Sequence, residues 1–285
     1  MKMLNAINES RPNAVLLCVL ALIAAWAAPA RATLVVADFN DLAPGGLNGQ
    51  GGGVGLSGSW GNTGTIDVSI ANGDLSAPAG TNYSATQSGT GKSVIGDWGD
   101  PRQSTRALST ALTGDTVWFS FLVQNTTADS RGGISFNRDD FDPRDPRVQS
   151  AAGQLFANNN RLGNMFTVGE TALVVGRILV DDAGADAWDI WVNPNMGSGI
   201  GGLGATALSF SDNTISAAGI HRLGVVSYHT GTNGDQNGAI VDAIRVSDGP
   251  NAFAEVGGVI VPEPATVSLA AMSLLLLTRR RRRCA

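Results

Sequence analysis

The sequence predicts an all-β protein folded as an antiparallel β-sandwich. Short segments of apolar and β-branched residues recur between clusters of Gly, Asn and Asp, and residues 33–256 contain no segment with the periodicity of an amphipathic helix. The chain of 285 residues also contains 37 glycines. Turns between antiparallel strands often need residues with positive φ, which glycine adopts without steric cost, so this composition fits many short strands.

Eight segments have the clearest strand pattern. In residues 116–123 the side chains of Trp118, Ser120 and Leu122 alternate with a second, apolar set, so the two sets are expected on opposite faces of one strand. The other predicted strands are 34–39, 66–70, 133–136, 173–180, 188–192, 223–228 and 240–246.

The amino terminus has the pattern of a secretory signal peptide. Lys2 and Arg11 precede an apolar stretch at residues 14–28, and small residues stand at Ala30 and Ala32. This order predicts a signal peptide over residues 1–32 with cleavage before Thr33. An uncleaved membrane anchor is the alternative.

The carboxyl terminus predicts a short hydrophobic helix with a basic end. Pro262 and Pro264 disfavour continuation of the preceding structure, and residues 265–278 contain no charge, Gly or Pro. As a helix this run is about 21 Å long, shorter than the roughly 30 Å hydrocarbon core of a bilayer, so it would make a marginal anchor. A basic run follows and would stay in the cytoplasm, namely Arg279, Arg280, Arg281, Arg282 and Arg283. A buried or amphipathic helix is the alternative.

This order of parts, with Val261, Pro262, Glu263 and Pro264 ahead of the apolar run, resembles the PEP-CTERM sorting signal of Gram-negative bacteria. The resemblance covers residues 261–285 and departs from the family in its short apolar run and its terminal Cys284-Ala285. It implies that residues 257–285 are a sorting signal, that an exosortase removes the tail, and that membrane insertion is transient. The protein is then expected at the envelope surface or in the extracellular matrix.

Removing both terminal signals makes the remaining body strongly acidic. Residues 33–261 contain 11 basic and 22 acidic residues, and both cysteines, Cys18 and Cys284, lie in the terminal segments. An acidic body argues against nucleic acid as a partner and favours cations or neutral glycans. Without cysteine, the body can form neither a disulfide nor a Cys-ligated metal site.

A second resemblance concerns the body, which the sequence predicts as one β-sandwich domain over residues 33–256. Five segments occur in an order that is similar to that of the concanavalin A-like, laminin-G-like jelly rolls. They are residues 38–41, 117–123, 173–178, 186–194 and 242–246. The resemblance implies the fold, and many domains of that fold bind carbohydrate while some hydrolyse it.

The sequence argues against hydrolysis. Glucanases of this fold use a Glu-x-Asp-x-x-Glu pattern on one strand, which places three carboxylates on one face. The body contains only Glu170 and Glu255, and neither has a carboxylate two positions away. These residues predict a protein that is not an enzyme.

The densest acidic cluster offers a candidate calcium site. Asp139, Asp140, Asp142 and Asp145 lie in one Pro-interrupted segment, and Ca²⁺ takes six to eight oxygen ligands. The arginines interleaved with them, Arg138, Arg144 and Arg147, can instead form a solvated ion-pair network with the carboxylates. A structural calcium ion is therefore the one cofactor that the sequence allows.

Two tryptophans are the candidate glycan contacts. Trp60 and Trp98 each lie next to glycine in loop-like sequence, where an aromatic face could stack on a sugar ring. Trp118 is expected in the core, whereas Trp188 and Trp191 should face opposite sides of a strand.

Together these observations predict an exported, non-enzymatic structural or adhesive protein of the envelope or the exopolysaccharide matrix, with an exosortase and extracellular polysaccharide as partners. A carbohydrate-binding, lectin-like module is the alternative, and a polysaccharide-degrading enzyme is the third.

Overall fold

A computed structural model describes residues 33–62, 68–83, 92–95, 103–137, 146–212, 215, 218–230 and 238–257. All of them belong to one compact unit that spans residues 32–261. Within them the structure is two antiparallel sheets, which confirms the predicted β-sandwich. The predicted signal peptide and the predicted C-terminal sorting helix lie outside the described residues.

The larger sheet has nine strands. Its hydrogen-bonded order is β14-β13-β12-β7-β16-β5-β4-β2, and β1 pairs with the far end of β16. The strands are β1 (Leu34–Ala37), β2 (Gly45–Gly46), β4 (Ser69–Asn72), β5 (Lys92–Ile95), β7 (Thr116–Gln124), β12 (Thr171–Leu179), β13 (Asp186–Val192), β14 (Leu208–Asp212) and β16 (Ile240–Asp248).

The smaller sheet has seven strands in the order β11-β10-β9-β8-β15-β6-β3. These strands are β3 (Leu56–Asn62), β6 (Gln103–Leu112), β8 (Ser130–Phe136), β9 (Arg147–Ala151), β10 (Gln154–Ala157), β11 (Asn160–Leu162) and β15 (Ile220–His229). One short helix, α1 (Ala252–Val256), follows β16, and two 3-10 turns lie at Met196–Ser198 and Ile200–Gly202.

The main core fills the space between the two sheets. Phe119 and Trp188 enter it from the larger sheet and Phe136 enters it from the smaller one, all fully buried. The ring centroid of Phe136 lies 5.6 Å from that of Phe119, in an edge-on arrangement, and 6.3 Å from that of Trp188. Aromatic contacts between the layers therefore fix how the two sheets face each other.

The alternation predicted for residues 116–123 is confirmed. Phe119, Phe121 and Val123 belong to the main core, whereas Trp118 and Leu122 belong to a second apolar cluster on the other face of the sheet. Each of the eight predicted segments overlaps an observed strand, although residues 66–67 lie outside the described part of the chain.

The second cluster covers the outer face of the nine-stranded sheet. Trp118 stacks on Trp191 with centroids 5.8 Å apart, and Phe253 of α1 packs edge-on against Trp118 at 4.9 Å. Trp188 and Trp191 lie on opposite faces, as predicted, and both are buried because α1 and the chain around Met196 and Leu203 cover the outer face.

Buried polar groups attach these covering segments to the sheet. The carboxylate of Asp242 accepts a hydrogen bond from the backbone of Leu75 at 2.9 Å. The Tyr83 hydroxyl donates to the carbonyl of Ala243 at 3.0 Å, and Ser120 Oγ donates to the carbonyl of Val256 at 2.7 Å. The outer face of this sheet is thus a second layer of core.

Asp248 at the end of β16 connects three further parts of the domain. Its carboxylate accepts hydrogen bonds from the backbone N–H groups of Thr33, Thr113 and Gly114 at 2.9, 3.0 and 3.1 Å. Asp248 is 7% exposed, so these bonds are largely shielded from water. The first described residue is in this way fixed to the last strand.

No helix among the described residues is long and apolar enough to cross a membrane. The predicted apolar run at residues 265–278 lies outside them.

Candidate functional site

The outer face of the seven-stranded sheet carries the most distinctive set of polar side chains. Ile134, Val148 and Val225 point into the main core, so the residues on either side of each point away from it. We call this side of the sheet the arginine face, defined by Arg131, Arg147, Gln149, Phe156, Arg161, Arg222 and Tyr228. Arg161 is exposed and Arg131 and Arg222 are half-buried, whereas the other four are buried.

Strand pairing places these side chains in rows across the sheet. Arg161 on β11 is the direct partner of Phe156 on β10, and Phe156 is the direct partner of Gln149 on β9. In a neighbouring row, Arg131 on β8 lies opposite Tyr228 on β15. Residues directly opposite each other in antiparallel strands share a face, so register alone brings these groups together.

Charge is segregated between the two sheets. The seven strands of the smaller sheet contain five arginines and no Asp or Glu, although residues 33–261 have twice as many acidic as basic residues. Four of these arginines belong to the arginine face, and the fifth, Arg106, donates to the carbonyl of Gly52 at the edge of the sheet. The strands of this sheet therefore carry only positive side-chain charge although the domain as a whole is acidic.

Arg131 and Tyr228 form one polar pair on this face. Arg131 Nη1 donates to the Tyr228 hydroxyl at 3.3 Å, and its guanidinium carbon lies 5.6 Å from the centroid of the tyrosine ring. Arg131 is half-buried, whereas Tyr228 is 2% exposed. The pair holds a phenolic oxygen beside a cation.

Phe156 lies between two further arginines. The guanidinium carbons of Arg147 and Arg161 are 4.8 and 5.2 Å from the centre of its ring. Burial lowers the pKa of Arg147 from its usual range. Tyr228 acts in the opposite direction, and the neighbouring charges of Arg131 and Arg161 lower the pKa again. Positive charges are thus crowded and partly desolvated around Phe156.

Amide and hydroxyl groups fill the spaces between the arginines. Gln103 Nε2 donates to Ser135 Oγ at 2.7 Å, and this bond passes over Gly224, where an added Cβ would lie 2.2 Å from Ser135 Oγ. Gln149 is 1% exposed, and its Oε1 has no hydrogen-bond partner among the described residues. A buried acceptor without a donor costs free energy in the folded state.

The two predicted glycan contacts have different outcomes. Trp60 is 2% exposed and lies in β3, where it packs on Phe39 with centroids 6.0 Å apart. Its placement as an exposed loop residue is therefore corrected: the glycines beside it belong to a strand, and its ring faces the main core. Trp98 lies outside the described residues.

The predicted calcium ligands Asp139, Asp140, Asp142 and Asp145 also lie outside the described residues. Within the described part of the chain, no three His, Cys, Asp or Glu side chains are grouped as a metal site. The buried Asp186 instead accepts backbone hydrogen bonds from Ile215 at 2.8 Å and from Asp181 at 3.2 Å, which organises loops.

The predicted residues of the two terminal signals likewise lie outside the described residues. They are Ala30, Ala32, the segment from Val261 to Pro264 and the five terminal arginines. Thr33, which would follow the predicted cleavage site, is described, and β1 begins at the next residue.

Sequence reasoning did not find the arginine face. Arg147 was interpreted as part of the charged segment before it, and residues 147–162 were not predicted as strands. An available signal was that Arg147 and Gln149 stand two positions apart and flank the apolar Val148, which is the pattern of a half-buried strand with a polar outer face.

No protein-family profile matches the chain, and no curated protein matches it. Solved structures with some similarity include an endo-β-1,4-glucuronan lyase from the fungus Trichoderma reesei, at 13% identity and a TM-score of 0.41 over 66% of this chain and 89% of that one. An alginate lyase mutant bound to alginate tetrasaccharide has 13% identity and a TM-score of 0.39 over 78% and 98% of the two chains. A carbohydrate-binding module from Bacillus subtilis has 10% identity and a TM-score of 0.31 over 63% and 92%. At these values the comparisons assign no site residue, substrate or activity to this chain.

The comparisons do contradict the prediction that the protein is not an enzyme, because polysaccharide lyases are among the similar structures. That prediction rested on a missing carboxylate pattern, which tests only carboxylate-based hydrolysis. Proton transfer in catalysis can also use Tyr or His, so the scarcity of glutamate does not exclude an enzyme, and the prediction is withdrawn.

Proposed function

We propose that the protein is an exported carbohydrate-binding β-sandwich of the cell envelope or the extracellular polysaccharide matrix. The observation that supports this best is the composition of the arginine face, where aromatic rings, amides and guanidinium groups share one side of a sheet. The opposite side of the sandwich is covered by α1 and by the chain around Met196 and Leu203.

The chemistry of these groups suits a sugar. Glycan hydroxyls both donate and accept hydrogen bonds, and the half-buried Arg131 and the exposed Arg161 supply donors to them. A strand surface also holds such groups at fixed spacings, which suits recognition of a repeating polymer.

For localisation, we propose export through the signal peptide at residues 1–32, followed by transient anchoring in the inner membrane. An exosortase would then cleave near the segment from Val261 to Pro264. Strand β1 begins at Leu34, so cleavage before Thr33 would leave this strand whole.

Glycan binding is tested by passing the purified full chain over a panel of immobilised polysaccharides, once with Ca²⁺ and once with a chelator. Retention on a defined glycan is expected. Loss of retention in chelator would point to the Asp139 to Asp145 segment, and no retention on any glycan in either condition would contradict the proposal.

Processing is tested by mass spectrometry of the form released from the producing cell. We expect a chain that begins at Thr33 and lacks the residues after about Pro264. Recovery of Arg279 to Arg283 on the released form would contradict the proposed cleavage.

A second candidate is cleavage of the bound polysaccharide. The specific observation is the Tyr228 hydroxyl, which lies 3.3 Å from Arg131 Nη1 on the same side of the sheet, because a tyrosine hydroxyl can transfer a proton in catalysis. Incubation with the retained glycan should then release new chain ends, which Tyr228→Phe should abolish while binding persists. Equal release by Tyr228→Phe would remove this residue from any such role.

A further inference from the structure

We infer that a cleft on the outer face of the nine-stranded sheet binds a short, uncharged saccharide. This inference rests on the proposed carbohydrate-binding function, and it places a binding site on the sheet opposite the arginine face. The cleft has a volume of about 370 Å³. That volume is in the size range of sites that hold small ligands.

The floor of the cleft crosses five neighbouring strands. Thr171 on β12 is the direct partner of Gln124 on β7, and Gln124 is also the direct partner of Ile240 on β16. On the next two strands of the sheet, Ser93 of β5 lies opposite Ala71 of β4. A residue adjacent in sequence to each of these five belongs to the main core, so their own side chains lie on the outer face. The floor therefore combines polar groups with the apolar surface of Ile240 and Ala71.

Residues 73–76, which follow β4, also line the cleft. The backbone N–H of Leu75 donates to the buried carboxylate of Asp242 at 2.9 Å, and the Leu75 side chain is buried in the second apolar cluster. Both contacts fix this segment to the sheet. The cleft is thus formed before a ligand arrives, which lowers the free-energy cost of binding.

Accessible amide and hydroxyl groups surround the cleft. Asn72 and Ser76 are exposed and Thr171 is half-buried, and no hydrogen bond joins their side chains to another described residue. Gln124 Nε2 donates to the carbonyl of Gly169 at 2.8 Å, which holds the amide in place and leaves its oxygen as an acceptor. Amides and hydroxyls supply both donors and acceptors, as the hydroxyls of a sugar require.

Charge favours an uncharged ligand. Among the described residues that line the cleft, Asp74 alone is charged, and it is acidic. Residues 33–261 as a whole contain 22 acidic and 11 basic residues. An anionic sugar would be repelled by this field, whereas a neutral sugar would not.

The test measures binding of the purified full chain to cellotetraose, maltotetraose and β-1,4-mannotetraose by calorimetry, at low and high salt. Tetragalacturonate is the anionic comparison and the tetramer of glucosamine is the cationic one. We expect at least one neutral tetrasaccharide to bind, with the same affinity at both salt concentrations, because no charge on the ligand is screened. Neither charged tetramer should bind more tightly.

Asn72→Ala is the main variant, because this exposed side chain lies at the end of β4 and its removal should leave the fold intact. It should weaken binding about fivefold, the loss expected for one neutral hydrogen bond. Thr171→Val, which keeps the shape of the side chain, should weaken binding similarly. Thr116→Val is the matched control: Thr116 is also half-buried on the outer face, but it lies at the other end of β7 and outside the cleft.

Each contrary outcome has its own meaning. If a neutral tetrasaccharide binds Asn72→Ala and Thr171→Val as tightly as Thr116→Val, the inference is overturned while carbohydrate binding stands. If a charged tetramer binds more tightly than every neutral one, the assignment of an uncharged ligand is wrong. If no saccharide binds, the proposed function fails as well.

Discussion

Asp248→Ala should strongly destabilise the domain although it lies far from the arginine face. The substitution removes the acceptor for three backbone N–H groups, from Thr33, Thr113 and Gly114. Leaving a shielded N–H unsatisfied costs on the order of 1–3 kcal/mol. Because these groups are only partly buried, we take the lower end for each and expect a loss of about 3 kcal/mol in the free energy of unfolding.

Urea unfolding followed by tryptophan fluorescence measures this loss as a lower midpoint at an unchanged slope. Asp248→Asn keeps the shape and one acceptor oxygen, so its loss should be about half as large. Asp181→Ala is the control, since this exposed carboxylate accepts a hydrogen bond from Ala183 within its own turn. If Asp248→Ala unfolds at the same urea concentration as Asp181→Ala, then the three hydrogen bonds do not hold the domain together.

Four further outcomes are expected. Trp188→Ala should cost about 3–5 kcal/mol in urea unfolding, because the ring is fully buried between the sheets, whereas the exposed Val168→Ala should change little. Gly176→Ala should cost about 1–3 kcal/mol in the same assay, because its Cβ would lie 1.9 Å from the Phe119 ring, and an unchanged midpoint would show that the ring can move aside. Burial raises the pKa of Tyr83, so the stability that depends on its neutral form is present below the unfolded pKa near 10 and is lost as the pH rises above that value. Tyr83→Phe should therefore lose less Tm than the wild type between neutral and alkaline pH. An equal loss of Tm in both proteins would refute this. Cleavage before Thr33 would turn its backbone N–H into an ammonium group beside the Asp248 carboxylate. The cleaved protein should therefore have a higher Tm than the protein that keeps the residues before Thr33. Equal Tm values would contradict this ion pair.

The strands that could be predicted from the sequence are those in which apolar and polar residues alternate, or in which apolar residues are continuous. Residues 116–124 show this best, since one face of β7 enters the main core and the other enters the second cluster. Strands β9, β10 and β11 are short and rich in Arg, Gln and Asn, so their strand conformation comes from pairing with neighbours rather than from local preference.

Trp60 is a strand residue that the sequence predicted to lie in a loop. Its segment reads as a loop because Gly58 and Gly61 flank it, yet the chain there forms β3 with an irregular register against β6. Glycine within a strand often marks such an irregularity, and here the irregular register accompanies a Trp60 side chain that points into the core.

The arginine face was not predictable from the chain alone. Arg131 and Tyr228 are 97 residues apart in sequence, and only the pairing of β8 with β15 brings them into contact. Net charge did not help, because an acidic total gives no information on where the few basic residues lie.

The position of β16 has a consequence for when the domain can fold. This strand is bonded to β7 and β5, and its second half pairs with β1 at the other end of the chain. Strand β1 can therefore find its partner only after residue 248 has left the ribosome, and the nine-stranded sheet stays divided until then. Contacts of such long sequence separation form slowly, because a large loop must close first. Folding of this domain is thus a late event that follows synthesis of nearly the whole chain rather than accompanying it.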